Sequence, residues 1–310
     1  MLLMSQLNKI VKTSLHLPFQ GEPREEGGLR TQGLFKQASE NQVLISIITV
    51  VLNGEKYIEQ TIQSVISQSY KNIEYIVIDG GSQDNTLNII KKYDHQIDYW
   101  ISEADKGIYD AMNKGIGLAT GELVGILNSD DFYVQNAIDK VIDIYTNNRS
   151  NDLLIITGGM YRVNVEQKIK FKLLKNEADF KNRINLGMPI NHPATFVTKS
   201  TYQKIGKFDP KYCVCGDYEF LFRAYYSNEV RFIFTNDVLT YMRLDGMSEK
   251  FNILLIRAKE QFYIRRYKIP VIINLKFFCR FLLIQSLKHL LKLLTGKFLL
   301  KKYYKYRHHE

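Results

Sequence analysis

Cysteine is scarce. Cys213, Cys215 and Cys279 are the only three, an odd number too small for a disulfide framework, and Cys-x-Cys without further ligands makes a poor metal site. A reducing, cytoplasmic setting is the expectation. No secretory leader is expected, because Gln6, Asn8, Lys9 and Lys12 interrupt the stretch from Met1 to Leu17 where about 7–15 continuous apolar residues would be needed. Long uncharged runs are absent from the apolar C-terminal segment: its longest, Phe281 to Leu287, falls far short of the ~20 residues that span a bilayer. No Gly-x-Gly-x-x-Gly follows the first predicted strand, and no Walker Gly-Lys-Ser/Thr occurs. The usual dinucleotide and P-loop sites are thereby excluded. Zinc-finger spacing and RNP-like aromatic motifs are missing too, so nucleic acid is not an expected partner.

What remains is an ordinary globular composition, 45% hydrophobic and 24% charged over 310 residues, enough for one large domain or two modest ones. The formal charge is 42 − 32 = +10, but from Val271 onward nine basic residues face one acid, Glu310, which leaves residues 1–270 at only +2. A nearly neutral body with a basic, leucine-rich tail predicts contact with an anionic membrane surface, peripheral and on its cytoplasmic side.

Residues 18–42, with Gly21, Glu22, Pro23, Arg24, Glu25, Glu26, Gly27 and Gly28, carry too few apolar residues to offset their ordering entropy, and residues 1–42 read as a flexible extension. A β-branched run from Val43 to Val51 then predicts a strand covered on both faces. Tyr57, Ile58, Ile62, Val65 and Ile66 follow at helical spacing, with strands at Ile73 to Ile78 and Ile97 to Ser102 around a helix that Asp84 can cap. A helix over 108–118 and a buried strand from Leu123 to Leu127 continue the alternation. The fold class is therefore α/β with a mostly parallel central sheet flanked by helices, in which ligands bind at the carboxyl ends of the strands. Asp79 and Asp130/Asp131 fall on that rim.

Strands are expected at Leu153 to Ile156, Met160 to Val165 and Ile169 to Leu173, and helices at 215–227 and 250–268. A segment from Pro270 to Leu300, interrupted by Lys276, Arg280, Lys288 and Lys292, predicts an amphipathic helix lying in the membrane interface, the alternative being a terminal helix packed on the domain or a partner. The resulting organisation is an extension over 1–42, a catalytic domain over 43–249 and a helical region with a basic amphipathic tail over 250–310.

Asp130-Asp131 after a buried strand supplies hard oxygen ligands for a divalent cation, although a helix N-cap explains such a pair equally well. The wider series decides between them. Asn53, then Ser64-Val65-Ile66-Ser67-Gln68, Ile78-Asp79-Gly80-Gly81-Ser82, Ser102-Glu103-Ala104-Asp105-Lys106-Gly107-Ile108-Tyr109-Asp110-Ala111-Met112-Asn113-Lys114-Gly115, Gly121-Glu122 and Leu127-Asn128-Ser129-Asp130-Asp131 together resemble the family 2 glycosyltransferases of the GT-A fold, of the bacterial surface-polysaccharide type, over residues 44 to about 225.

The resemblance implies a donor site in which Asp79 contacts the nucleotide base, and Asp130 and Asp131 hold Mg²⁺ or Mn²⁺ against the donor diphosphate, with Asp131 as the favoured metal ligand. Asn128 stands where many relatives carry an Asp. Lys106 lies near a basic position directed to the donor. Cys215-Gly216-Asp217-Tyr218-Glu219 resembles the family's Glu-Asp motif, with Gly216 in place of the first acid, making Asp217 the expected general base and Glu219 its rival. His192, in Pro189-Ile190-Asn191-His192-Pro193, matches a position near acceptor and diphosphate. The implied reaction is inverting transfer from a nucleotide diphosphate-sugar, a UDP-sugar foremost, to a glycan or polyprenyl-linked acceptor. Its alternatives are a nucleotidyltransferase of similar fold and a non-catalytic peripheral membrane protein.

Overall fold

A computed structural model describes residues 24–283 apart from 40–41, 150–152, 165, 245–250 and 281–282. The alternation predicted from the sequence is present: β2 (Ile45–Val51), α1 (Ile58–Ile66), β3 (Ile73–Asp79), α2 (Thr86–Lys92), β4 (Tyr99–Ser102), α3 (Ile108–Leu118) and β5 (Leu123–Asn128), preceded by a short β1 (Glu25–Gly27). All seven residues of β2 and all seven of β3 are buried, which is why they read as largely apolar runs rather than alternating ones. Alternate side chains enter opposite cores. Ile48, Val50, Ile76 and Ile78 pack under Tyr109, Met112 and Ile116 of α3, while Ile45, Ile47 and Val77 meet Ile58, Ile62 and Val65 of α1.

The chain continues through β6 (Phe132–Tyr133), α4 (Ala137–Asn147), β7 (Leu154–Val163), β8 (Ile169–Leu173), α5 (Glu177–Arg183), β9 (Thr195–Thr198), α6 (Lys199–Ile205), α7 (Gly216–Ser227), β10 (Arg231–Arg243) and α8 (Phe251–Arg265), with a further helix over 271–280. Strand order in the ten-stranded sheet is β1-β4-β3-β2-β5-β9-β7-β10-β6, with β8 beside β7. Strands β4, β3, β2 and β5 are mutually parallel, as predicted. Beyond β5 the sheet is mixed, because β9 runs antiparallel to both β5 and β7. The two strands expected across 153–165 are one, β7, whose pairing with β10 absorbs a register shift between Phe234 and Thr240. The helix after Asp130-Asp131 starts only at Ala137, and β6 separates it from them, so the acidic pair is not its N-cap.

The reading of 1–42 as a flexible extension is corrected over its described residues. Glu25–Gly27 pair antiparallel with Trp100–Ser102, and a 3₁₀ turn, Leu29–Gln32, follows. Gly28 sits at φ +94, with Ile97 O only 2.8 Å from where a Cβ would lie, so the glycines that suggested looseness are what permits this close packing. The key side chain is polar: Arg30, only 7% exposed, pairs with buried Glu74 and donates to Leu118 O at 3.0 Å. The expected tail beyond residue 283 lies outside the described residues. Among those residues, no helix is long and apolar enough to cross a membrane.

Candidate functional site

The rim is built by short loops at the carboxyl ends of β2, β3, β4 and β5. Asn53, at φ 51, donates through its backbone to Ser82 Oγ at 2.8 Å, and its side-chain oxygen accepts from Gln83 N at 2.8 Å. Gly54 N donates to Thr86 Oγ1 at 2.8 Å. These bonds lock the loop after β2 to the loop after β3, an Asx-type use of short polar side chains. Asp79 ends β3 fully buried, its carboxylate accepting from Ser82 N at 3.2 Å, from Ser82 Oγ and from Ser102 Oγ at 2.6 Å. It therefore organises the rim from beneath. Above it, Asp105 lies against Gly80. Its pKa is raised, first by burial, with Asp110 and Asp79 adding to the effect.

Asp79 pairs with Val51 and Asn128 with Val50, so the acidic turn lies two strands from Asp79, on the order of 10 Å away at ordinary strand spacing. Helix α1 fixes that turn: Thr61 Oγ1 donates to Ser129 O at 2.8 Å and Asp131 O at 2.7 Å, and Ser64 Oγ accepts from Tyr133 N at 3.2 Å. Asp130 is half-buried and Asp131 buried. Asp131 Oδ1 accepts from Arg243 N at 3.3 Å, whereas its buried Oδ2 has no hydrogen-bond partner. Burial pushes the Asp131 carboxyl well above the usual carboxylate range, Asp130 adds to the shift, and Arg243 and Arg162 oppose it. Arg243 itself lies over Tyr57, 4.1 Å from the ring centroid.

A divalent cation fits this chemistry. Two adjacent carboxylates, one accessible and one with an orphaned buried oxygen, leave the remaining positions to phosphate and water, the usual arrangement for Mg²⁺. Among the described residues, no group of three or more His, Cys, Asp and Glu is placed to hold a metal alone.

A small cavity is lined by His192 and Asp217 together with Ile190, Thr195, Phe208 and Leu221. Two residues 25 apart in the sequence are thus brought together. Asp217 opens α7, and its Oδ1 accepts from Tyr109 Oη at 3.1 Å and Tyr218 N at 2.8 Å. Gly216 allows that approach, because a Cβ there would lie 2.9 Å from the Tyr109 ring. Burial raises the Tyr109 pKa well above its ordinary value, and Asp217 adds to this, so the phenol stays a donor. Burial lowers the pKa of His192, against the pull of Asp217, so its imidazole is neutral at pH 7. Glu219, about 200° around the helix from Asp217, faces away. It binds Arg223 Nε at 2.7 Å, and Arg223 in turn donates to Ile205 O, at the end of α6, and to Lys207 O beyond it.

Lys106 stands exposed in the β4–α3 loop, its backbone N–H donating to Asp110 at 3.1 Å. The structure does not draw it into the His192–Asp217 cavity. Tyr109 and Asp105 lay inside the quoted motif but carry roles that only packing reveals. Glu260 of α8 had no sequence signal at all, yet its carboxylate accepts from Cys213 N, Val214 N and Cys215 N at 2.7, 3.1 and 2.8 Å. It clamps the turn that delivers Asp217. Glu260→Ala should cost about 1–3 kcal/mol in urea unfolding and speed amide hydrogen exchange at 213–215. Unchanged exchange there would remove the clamp.

Comparison with known proteins agrees with this architecture. Residues 46–205, just over half the chain, match the profile of Glycosyl transferase family 2. An uncharacterized glycosyltransferase of Rickettsia typhi is 30% identical over 200 residues, covering 60% of this chain and 62% of its own length. One from Methanocaldococcus jannaschii is 27% identical over 70% of this chain and 75% of its own. This chain thus spans about three fifths of the length of the Rickettsia relative. Among solved structures, S. aureus TarS 1–349 in complex with UDP-GlcNAc superposes with a TM-score of 0.54 at 19% identity, over 77% of this chain and 71% of that one. The mannosyltransferase PcManGT of Pyrobaculum calidifontis, in complex with GDP-Man and Mn²⁺, gives 0.55 at 16% identity, over 88% and 76%. The fold is GT-A, and on the extent of the profile match the chain belongs to Glycosyl transferase family 2.

Proposed function

We propose that the protein is an inverting, metal-dependent glycosyltransferase that moves a sugar from a nucleotide diphosphate-sugar to a glycan or polyprenyl-linked acceptor, in bacterial cell-surface polysaccharide synthesis at the cytoplasmic face of the membrane. The observation that carries the donor half is the acidic turn at the sheet rim, where Asp131 Oδ2 is buried without a partner beside Asp130. Structural neighbours captured with UDP-GlcNAc and with GDP-Man and Mn²⁺ support a nucleotide-sugar in that place. Asp130 and Asp131 would hold the cation, with Asp130 the more accessible of the two. The cation would offset the negative charge that gathers on the departing diphosphate.

The chain's own groups supply the rest. Tyr109 and Tyr218 N–H both donate to Asp217 Oδ1, which holds the carboxylate through one oxygen and leaves Oδ2 for the acceptor. Asp217 takes the acceptor hydroxyl proton as that oxygen bonds to the anomeric carbon from the face opposite the breaking bond to the diphosphate. His192, neutral and next to Asp217, orients the acceptor hydroxyl or a donor phosphate oxygen by hydrogen bonding. Asp79 and Asp105 shape the base end of the groove.

Calorimetric titration with UDP and with GDP, each with and without Mn²⁺, tests the donor half. Mn²⁺-dependent binding of one nucleotide is expected, weakened at least about tenfold, or about 1.4 kcal/mol, by Asp130→Ala. Failure of folded protein to bind either nucleotide with Mn²⁺ would overturn the UDP- and GDP-sugar reading.

A further inference from the structure

We propose that the hairpin made by α8 and the helix over 271–280 is a docking face for an anionic lipid bilayer. Its exposed side chains are large and apolar: Tyr263 is 52% exposed, Tyr267 72%, Val271 65%, Ile272 73% and Leu275 50%. Val271, Leu275 and Cys279 recur every four residues, forming one stripe along the helix, and Leu283 is 62% exposed. Lys276 and Arg280 are exposed along its flank.

This face is not waiting to fold back onto the domain, because the hairpin is already locked from its other side. Arg265, 2% exposed, donates through Nε to Asn274 Oδ1 at 3.0 Å and through Nη1 to Leu186 O at 3.1 Å. Asn274, fully buried, donates to Phe262 O at 2.8 Å. With those bonds made, the apolar stripe is the side left over.

Charge selects the occupant. Residues 251–283 hold seven basic residues and one acid, Glu260, whose carboxylate is engaged by the 213–215 backbone. Residues 284–310 are also strongly basic, with seven Lys and Arg against Glu310, so neither that segment nor a second copy of this hairpin complements the face electrostatically. A surface of anionic headgroups over an apolar interior complements both its components. Because Arg265 and Glu260 join the hairpin to the loops preceding His192 and Asp217, docking would hold those loops at the lipid surface.

The test is sedimentation of the full chain with vesicles of phosphatidylcholine alone and with about one-third phosphatidylglycerol. Neither donor nor acceptor is present, so the result is independent of the transferase reading. Binding to anionic vesicles is expected to exceed neutral binding at least about tenfold and to fall with salt. Val271→Glu/Ile272→Glu and, separately, Arg266→Glu/Lys268→Glu should each lower it about tenfold or more, at unchanged melting temperature. Full binding by both variants would assign the effect to residues beyond 283 and overturn the proposal. So would absence of binding by the wild-type chain, or a wild-type dimer in light scattering that Val271→Glu/Ile272→Glu converts to a monomer without affecting vesicle binding.

Discussion

Asp217→Asn should lower sugar transfer by about two to four orders of magnitude while leaving the fold and Mn²⁺-dependent nucleotide binding in place. The amide keeps the size of the carboxylate and its acceptor oxygen for Tyr109 and Tyr218 N–H, but cannot take a proton. Helix α7 offers a built-in control, since Glu219 pairs with Arg223 through Oε1: Glu219→Gln should retain transfer. Tyr109→Phe should fall between the two, at roughly a ten- to hundredfold loss, the value of one hydrogen bond of about 1.5–3 kcal/mol to a charged group. The measurement is recovery of surface glycan in cells lacking their own copy, with release of nucleoside diphosphate by purified protein as the direct readout. Wild-type glycan levels with Asp217→Asn would refute a base at this position.

The second large effect lies far from the chemistry. Arg30→Met should destabilise the protein by about 3–5 kcal/mol, a fall on the order of 10 °C in melting temperature, because it strands the carboxylate of Glu74. That side chain is 2% exposed and also anchors Ser46 Oγ and Thr120 N, at 2.5 and 2.8 Å. Arg30→Met/Glu74→Gln should recover a substantial part of the loss, since removing both charges removes the penalty of one buried alone. Circular dichroism melts of the two variants decide the matter. If Arg30→Met melts like wild type, the Arg30–Glu74 pair contributes nothing to stability.

That pair also shows why sequence reading stopped where it did. Periodicity exposed β2, α1, β3 and α3 because their burial is apolar, and the α3 limits, Ile108–Leu118, coincide with the predicted ones. Residues 24–39 are held by Arg30, Lys36, two glycines and main-chain pairing, contacts whose polar composition reads as solvated. The acidic turn and Asp217 were legible as motifs, whereas the division of labour within them was not. Burial of Asp131 beneath Asp130, and the phase of α7 that turns Asp217 into the cavity and Glu219 out of it, are matters of three-dimensional placement. Glu260 was invisible because its partners are three backbone N–H groups, which leave no residue-type signature.

The clamp formed by Glu260 bears on how this protein can be cut. The family profile ends at residue 205, and a boundary at 249 looks natural from the sequence, since a fragment stopping there retains Asp79, Asp130, Asp131, His192 and Asp217. Such a fragment would nevertheless lack the carboxylate that gathers the 213–215 amides and the guanidinium that holds Asn185 O and Leu186 O. It should still bind nucleotide at the rim and yet transfer poorly. Shortened forms made for crystallography or screening would then report a donor-binding protein with the acceptor machinery unlatched.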